Sequence, residues 1–371
     1  MTLEQKVGQM VMTYFDGKKV NKKAKNLIRE ARVGGIIFYT WANDLSSAKK
    51  VQNLCSDLQN LSQKYNKLPL FIGVDQEGGV VTRLKKEFTF FPGNPTVGKT
   101  NNPVNARRIA KAIAEELKAV GINLNFAPVV DIYNNPSNEV MKKRSFGSCP
   151  KKVVEFAKES LQGYEEAKVF ACLKHFPGHG DTNIDSHEAF PVVNKSLQEL
   201  WQVELVPYIH LCEKAPFIMT AHIVFPQIDA ENCSTFSSYF LQDLLRKKLG
   251  YKGIVITDSL MMGGAQAKGK NLLEICLKAI DAGNDILLIG GRVLQEDEKG
   301  GMEHVSEVIQ VVKGVVRAVK EGRISEKRIE ESVQRILALK QKLPKKTKKG
   351  KNLSFLKNKN HLQLANEILS K

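Results

Sequence analysis

The densest run of chemically capable side chains is Lys174-His-Phe-Pro-Gly-His-Gly-Asp-Thr-Asn-Ile-Asp-Ser-His187, which holds three of the seven histidines. His175 and His179 have the i, i+4 interval of a zinc-binding helix, but Pro177 and Gly178 break any helix that would set both rings on one side. No metal is expected. Asp185 and His187 stand two apart, so the carboxylate can accept one imidazole proton and leave the other ring nitrogen facing a substrate. The bland alternative is an Asx turn beside an exposed histidine. Further polar residues close apolar runs. Asp75 follows Phe71-Ile-Gly-Val74, Asp131 follows 122–130, and Lys174 and His175 follow Ala171-Cys-Leu173. His222 lies just past Thr220, and Asp258 follows Ile254-Val-Ile-Thr257. Singly, each is equally a loop cap or an ion-pair partner.

What must position them is a set of short β-branched runs at 33–39, 68–74, 122–130, 169–173, 217–220, 253–257 and 285–289, alternating with helical stretches. Continuous rather than alternating hydrophobicity marks strands covered on both faces, hence a parallel sheet. Ser196 with Glu199, and Thr2 with Gln5, form helix-capping boxes, and Gly250 supplies a C-terminal stop. Seven strands are located. They fit an α/β protein, either a TIM-like (β/α)8 barrel with one strand unplaced or an open doubly wound sheet. A length of 371 residues favours the barrel, and no Gly-x-Gly-x-x-Gly or Walker loop supports a nucleotide-binding open sheet. In a parallel barrel, functional side chains gather where strands end, the place these polar residues occupy. The barrel domain is read as 1–342, with 303–342 as two more helices and 343–371 as a basic tail and closing helix.

Composition excludes several classes. With 42% hydrophobic and 26% charged residues the chain is globular, and no apolar run approaches the roughly 18–20 residues of a membrane span. The N-terminus lacks a secretory signal's apolar stretch, although a removed leader stays open. Six scattered cysteines suggest neither a disulfide framework nor a zinc knot, so they are read as core residues of a cytoplasmic protein. Residues 340–371 hold ten lysines against one acid, more than half of the net charge of +17. The run Lys345-Lys-Thr-Lys-Lys-Gly-Lys351 has no interleaved aromatics, so it reads as a solvated tail, not a nucleic-acid surface.

These motifs resemble a family. Lys174-His-Phe-Pro-Gly-His-Gly-Asp-Thr182 with Asp185-Ser-His187, Gly73-Val-Asp-Gln-Glu-Gly-Gly79, Ile256-Thr-Asp-Ser-Leu260 and the opening Leu3-Glu-Gln-Lys-Val-Gly-Gln9 are similar to the β-N-acetylhexosaminidases of glycoside hydrolase family 3. The resemblance implies that Asp258 is the nucleophile, His187 the general acid/base and Asp185 its partner. It implies that Asp75, Arg83, Arg144, Lys174 and His175 hold the sugar, Arg144 lying in Lys143-Arg-Ser-Phe-Gly147. Val140-Met-Lys-Lys143 departs from the family's usual apolar residue and glycine before that motif. The implied activity is a retaining exo-β-N-acetylglucosaminidase on peptidoglycan fragments, without cofactor and acting as a monomer. A histidine fits the acid/base role because its ordinary pKa of about 6.5 lets it donate and accept near neutral pH. The rivals are an N-acetylglucosaminide phosphorylase of the same fold and a non-catalytic barrel that binds glycans or nucleic acid.

Overall fold

Eight short segments pair side by side, all parallel: β1 (Val11–Thr13), β2 (Gly35–Ile37), β3 (Phe71–Val74), β4 (Leu124–Asn125), β5 (Phe170–Phe176), β6 (Phe217–Thr220), β7 (Ile254–Ile256) and β8 (Leu287–Ile289). The structure is a computed structural model and describes residues 1–182, 191–262, 271–291, 302–344 and 352–370. The register runs from Met12 beside Gly35 through Ile36 beside Ile72 to Ile256 beside Met219. Val11 pairs with Leu287, and a bridge from Ile256 to Ile286 joins β7 to β8, so the sheet closes into a (β/α)8 barrel. The unplaced strand is β1. It is three residues long and follows the helix Leu3–Gln9 after a single residue, too short to announce itself by pattern.

The strands are buried, with Phe170 at the start of β5 only partly so, because helices cover their outer faces, as continuous hydrophobic runs require. The capping boxes expected at Thr2 and Ser196 are both formed. Gly250 takes a left-handed φ of +69° just past the helix Tyr239–Lys248. At the floor of the barrel Phe71, Phe170 and Phe217 pack edge to face or tilted, with Lys340 from the helix Glu326–Lys340 set 5.0 Å from the Phe71 ring. The Lys340 ammonium donates to Gln9 Oε1 and Gly34 O, and burial pushes its pKa down to about 7.

The closing helix Lys359–Leu369 is docked, with Leu364, Ala365 and Ile368 buried in the main core cluster. The basic run 345–351 lies outside the described residues. Among those described, no helix is long and apolar enough to cross a membrane. Five of the six cysteines are buried, as their reading as core residues requires, and Cys149 is exposed.

Candidate active site

Asp75 leaves the end of β3, and the chain then folds into a hairpin in which Gln76–Gly78 pairs with Val81–Thr82. Its turn uses Gly78 and Gly79 at φ +88° and +57°, a region that side-chain-bearing residues avoid. Asn125 at the end of β4 clamps Gln76, accepting from its N–H at 2.9 Å and donating to its carbonyl at 2.8 Å. The Gln76 side chain in turn accepts from the N–H groups of Arg83 and Leu84 at 2.8 and 3.0 Å. The reversal brings Glu77 inward, with 4% of its side chain exposed.

Glu77 is the residue the sequence reading passed over, and it is the hub. Lys174 in β5 places its ammonium 2.7 Å from Glu77 Oε1 and 2.8 Å from Asp75 Oδ1. Arg144 forks onto Glu77, with Nε 3.0 Å from Oε2 and Nη2 2.7 Å from Oε1. Burial works to raise the Glu77 pKa, but Arg144 and Lys174 hold it well below the carboxylate range. Burial likewise opposes the charge on Lys174, and Asp75 with Glu77 overcomes it, raising its pKa. The set places two acids against two bases, with Glu77 and Lys174 each holding the other charged.

His175 joins it from the next position of β5. Its Nδ1 lies 2.7 Å from Asp131 Oδ2, and the Asp131 carboxylate also accepts from the backbone N–H groups of His175 and His179, at 3.1 and 2.7 Å through Oδ1. Burial would raise the Asp131 pKa, yet the imidazole charge and these bonds lower it. With Nδ1 held on the carboxylate, Nε2 turns toward Arg144, 3.5 Å from Nη2. His179, at the turn beyond, meets Thr182 Oγ1 at 2.9 Å, and burial drops its pKa to about 4. Gly180 is obligatory there, since a Cβ would stand 1.6 Å from the Ile132 carbonyl.

Asp258 sits at the end of β7. Its Oδ1 accepts from Ser259 N at 2.6 Å, and its own N–H donates to Thr220 O at 3.3 Å. His222 lies behind it and is a structural residue: buried, it spans Thr235 Oγ1 at 2.9 Å and Ser259 O at 3.0 Å. Tyr39 lies two residues beyond β2. Burial pushes its phenol well up, and the charges of Asp75 and Asp258 push it further, while Arg83 pulls it down. The structure brings Asp75, Arg144, Lys174 and His175 together through Glu77 and direct contacts, and sets Asp258 at the same, strand-end rim of the barrel. Asp185 and His187 lie outside the described residues.

Chemically, such an arrangement offers both acceptors and donors to the hydroxyls of a polyol. The acids accept from hydroxyls, while the ammonium and guanidinium donate, and every group is held in place by another. A hollow of about 910 Å³ opens at the opposite end of the barrel, where Phe170 begins β5 and Gly253 precedes β7, away from these charges.

Comparison with known proteins agrees with this chemistry. Residues 2–339 match the model of the glycosyl hydrolase family 3 N terminal domain. The chain is 32% identical over 378 residues to beta-hexosaminidase A of Pseudoalteromonas piscicida, covering 93% of this chain and 62% of that protein. Among solved structures it is similar to a family 3 beta-N-acetylglucosaminidase of Paenibacillus sp. str. FPU-7, with 38% identity, a TM-score of 0.89, and coverage of 99% of this chain and 68% of that one. It is also similar to a fungal multi-domain family 3 beta-N-acetylglucosaminidase bearing a GCN5-related glucosamine N-acetyltransferase region. That identity is 34%, with a TM-score of 0.91, over 99% of this chain but 43% of the fungal one. This chain therefore spans less than two thirds of the Pseudoalteromonas and fungal proteins.

Proposed function

The chain belongs to glycosyl hydrolase family 3, and from that premise we propose that it is a retaining exo-β-N-acetylglucosaminidase acting on peptidoglycan fragments. The observation that carries the reading is the pairing of an ion-paired cluster, Asp75, Lys174, Arg144 and Glu77, with a second carboxylate, Asp258, both carboxylates following the ends of parallel barrel strands.

In this reading Asp75, Lys174, Arg144 and His175, with Arg83, hold the terminal sugar so that its anomeric carbon meets Asp258. An Asp258 oxygen attacks that carbon while the glycosidic oxygen takes a proton from His187, giving a glycosyl ester and a free aglycone. Water then attacks the ester, His187 takes its proton back, and the carboxylate is released. Asp185 stabilises the imidazolium that forms in the second step. The Ser259 N–H on Oδ1 orients the nucleophile. The acidic groups of peptidoglycan fragments suit a chain of net charge +17. Five buried, unbridged cysteines suit a reducing cytoplasm.

The test is trapping. A 5-fluoro N-acetylglucosaminyl fluoride slows both steps and leaves the ester long-lived, and digestion followed by mass spectrometry locates it. The expected label is on Asp258, and a label on Asp75, or none, overturns the assignment. Turnover of an ordinary substrate in phosphate buffer is expected to release free N-acetylglucosamine, whereas a sugar 1-phosphate would mark a phosphorylase.

A further inference from the structure

The hairpin that turns Glu77 inward is backed by a strap, residues 89–94, and the closing helix holds that strap. Gly79 N–H donates to the Phe91 carbonyl at 2.9 Å, and the two backbones run so close that a Cβ on Gly78 would stand 2.6 Å from the Pro92 carbonyl oxygen. Three residues past Phe91, Asn94 Nδ2 donates to the Arg144 carbonyl at 2.9 Å. The strap therefore grips both members of the Glu77–Arg144 fork by their backbones, one through the Gly78-Gly79 turn and the other directly.

The other end of the strap is pinned by Glu116, a carboxylate 3% exposed in the helix Val104–Val120. It accepts from the Thr89 N–H at 3.0 Å and from the Thr89 hydroxyl at 2.7 Å. The same Oε1 accepts from the Lys357 N–H at 2.9 Å and lies 3.0 Å from His361 Nδ1, so the start of the closing helix shares one carboxylate with the strap. His361 is held in turn by Glu115 Oε2, 3.1 Å from its Nε2, and its ring meets Phe91 edge to face at 5.9 Å. A buried acceptor fixed from two sides transmits a shift of one side to the other. We propose that Glu116 and His361 are positioning residues for the sugar site, through which the closing helix sets the place of the Glu77–Arg144 fork. The inference rests on the glycosidase reading above, in which that fork helps to hold the terminal sugar. Because Asp258 stands on β7, outside this chain of contacts, sugar binding is what the brace governs and the bond-breaking step is not.

The experiment measures KM, kcat and Tm of the full chain on a nitrophenyl N-acetylglucosaminide for the wild type, Glu116→Gln and His361→Ala. KM is expected to rise about three- to tenfold in each variant while kcat stays within about twofold. His361→Asn, whose amide offers a donor near the place of Nδ1, is expected to recover most of the KM. Arg335→Gln is the control: it removes one bond to Asp285, just before β8, and lowers Tm without touching the strap, so its KM is expected to be that of the wild type. An unchanged KM in both Glu116→Gln and His361→Ala overturns the inference, and so does a KM rise of the same size in Arg335→Gln, which would mark general loosening. Either result leaves the glycosidase reading standing, whereas wild-type protein that does not cleave the nitrophenyl sugar overturns both.

Discussion

Glu77→Gln keeps the shape of the hub and removes its charge, leaving Arg144 and Lys174 with one carboxylate, Asp75, instead of two. Glu77 is 4% exposed and Lys174 2% exposed, so solvent does not replace the lost partner. Breaking a buried pair from one side costs about 3–5 kcal/mol. At about 2 °C per kcal/mol for a domain of this size, Tm is expected to fall by about 6–10 °C. Arg144 and Lys174 also lose their orientation toward a sugar, and one misdirected charge-assisted bond of about 1.5–3 kcal/mol raises KM about tenfold or more. The acid limb gives a third reading. A carboxyl whose folded pKa is lowered stabilises the protein above its unfolded value, and that contribution drains away as pH falls toward the folded value. The wild-type advantage in Tm over Glu77→Gln is therefore expected to be full at neutral pH and to narrow below about pH 4. Thermal melts across pH, with steady-state kinetics on a chromogenic N-acetylglucosaminide, measure all three. An unchanged Tm together with an unchanged KM would refute the reasoning.

Two further predictions concern other parts of the chain. His187→Ala is expected to lower kcat on a natural disaccharide by about 10²–10⁴-fold and on an activated nitrophenyl sugar by much less, because only the sugar leaving group needs a proton; equal losses refute the acid role. His361 bridges Glu116 Oε1 at 3.0 Å and Glu115 Oε2 at 3.1 Å with its two ring nitrogens; burial opposes its charge, yet the two glutamates raise its pKa. Its contribution is then complete below an unfolded pKa of about 6.5 and is lost as pH rises through the folded value, so a Tm deficit of His361→Gln is expected at about pH 5–6 and to vanish in alkali. A deficit that does not change with pH refutes it.

The sequence carried the barrel well because seven of its strands are apolar runs bounded by helices with recognisable ends. β1 was hidden by its brevity and by the helix just before it. Asp75, Lys174, His175 and Asp258 were legible as residues at the C-terminal ends of strands because each is the first polar position after an apolar run. Glu77 obeys a different rule. It lies two residues past that edge, and only the hairpin with Val81–Thr82 returns it inward, a reversal signalled by Gly78-Gly79 but not by periodicity. Its partners are 67 and 97 residues away in the chain, a pairing that no local pattern encodes. His222 shows the converse. It sits past a strand end as a functional residue would, yet both its ring nitrogens are spent on Thr235 and Ser259. The tail was read from its lysines, whereas its helix is held by apolar residues and by His361 on the helix Val104–Val120.

The pairing of β1 with β8 has a consequence for how the molecule comes into being. The Thr13 hydroxyl reaches the Ile289 carbonyl, 276 residues along the chain. On a ribosome, the first stave emerges long before its last neighbour, and one of its edges waits without a partner while most of the protein is made. Cooperative closure is therefore a late event in biogenesis, and chains cut short before the eighth stave present an open sheet margin to whatever chaperone or aggregate meets it first.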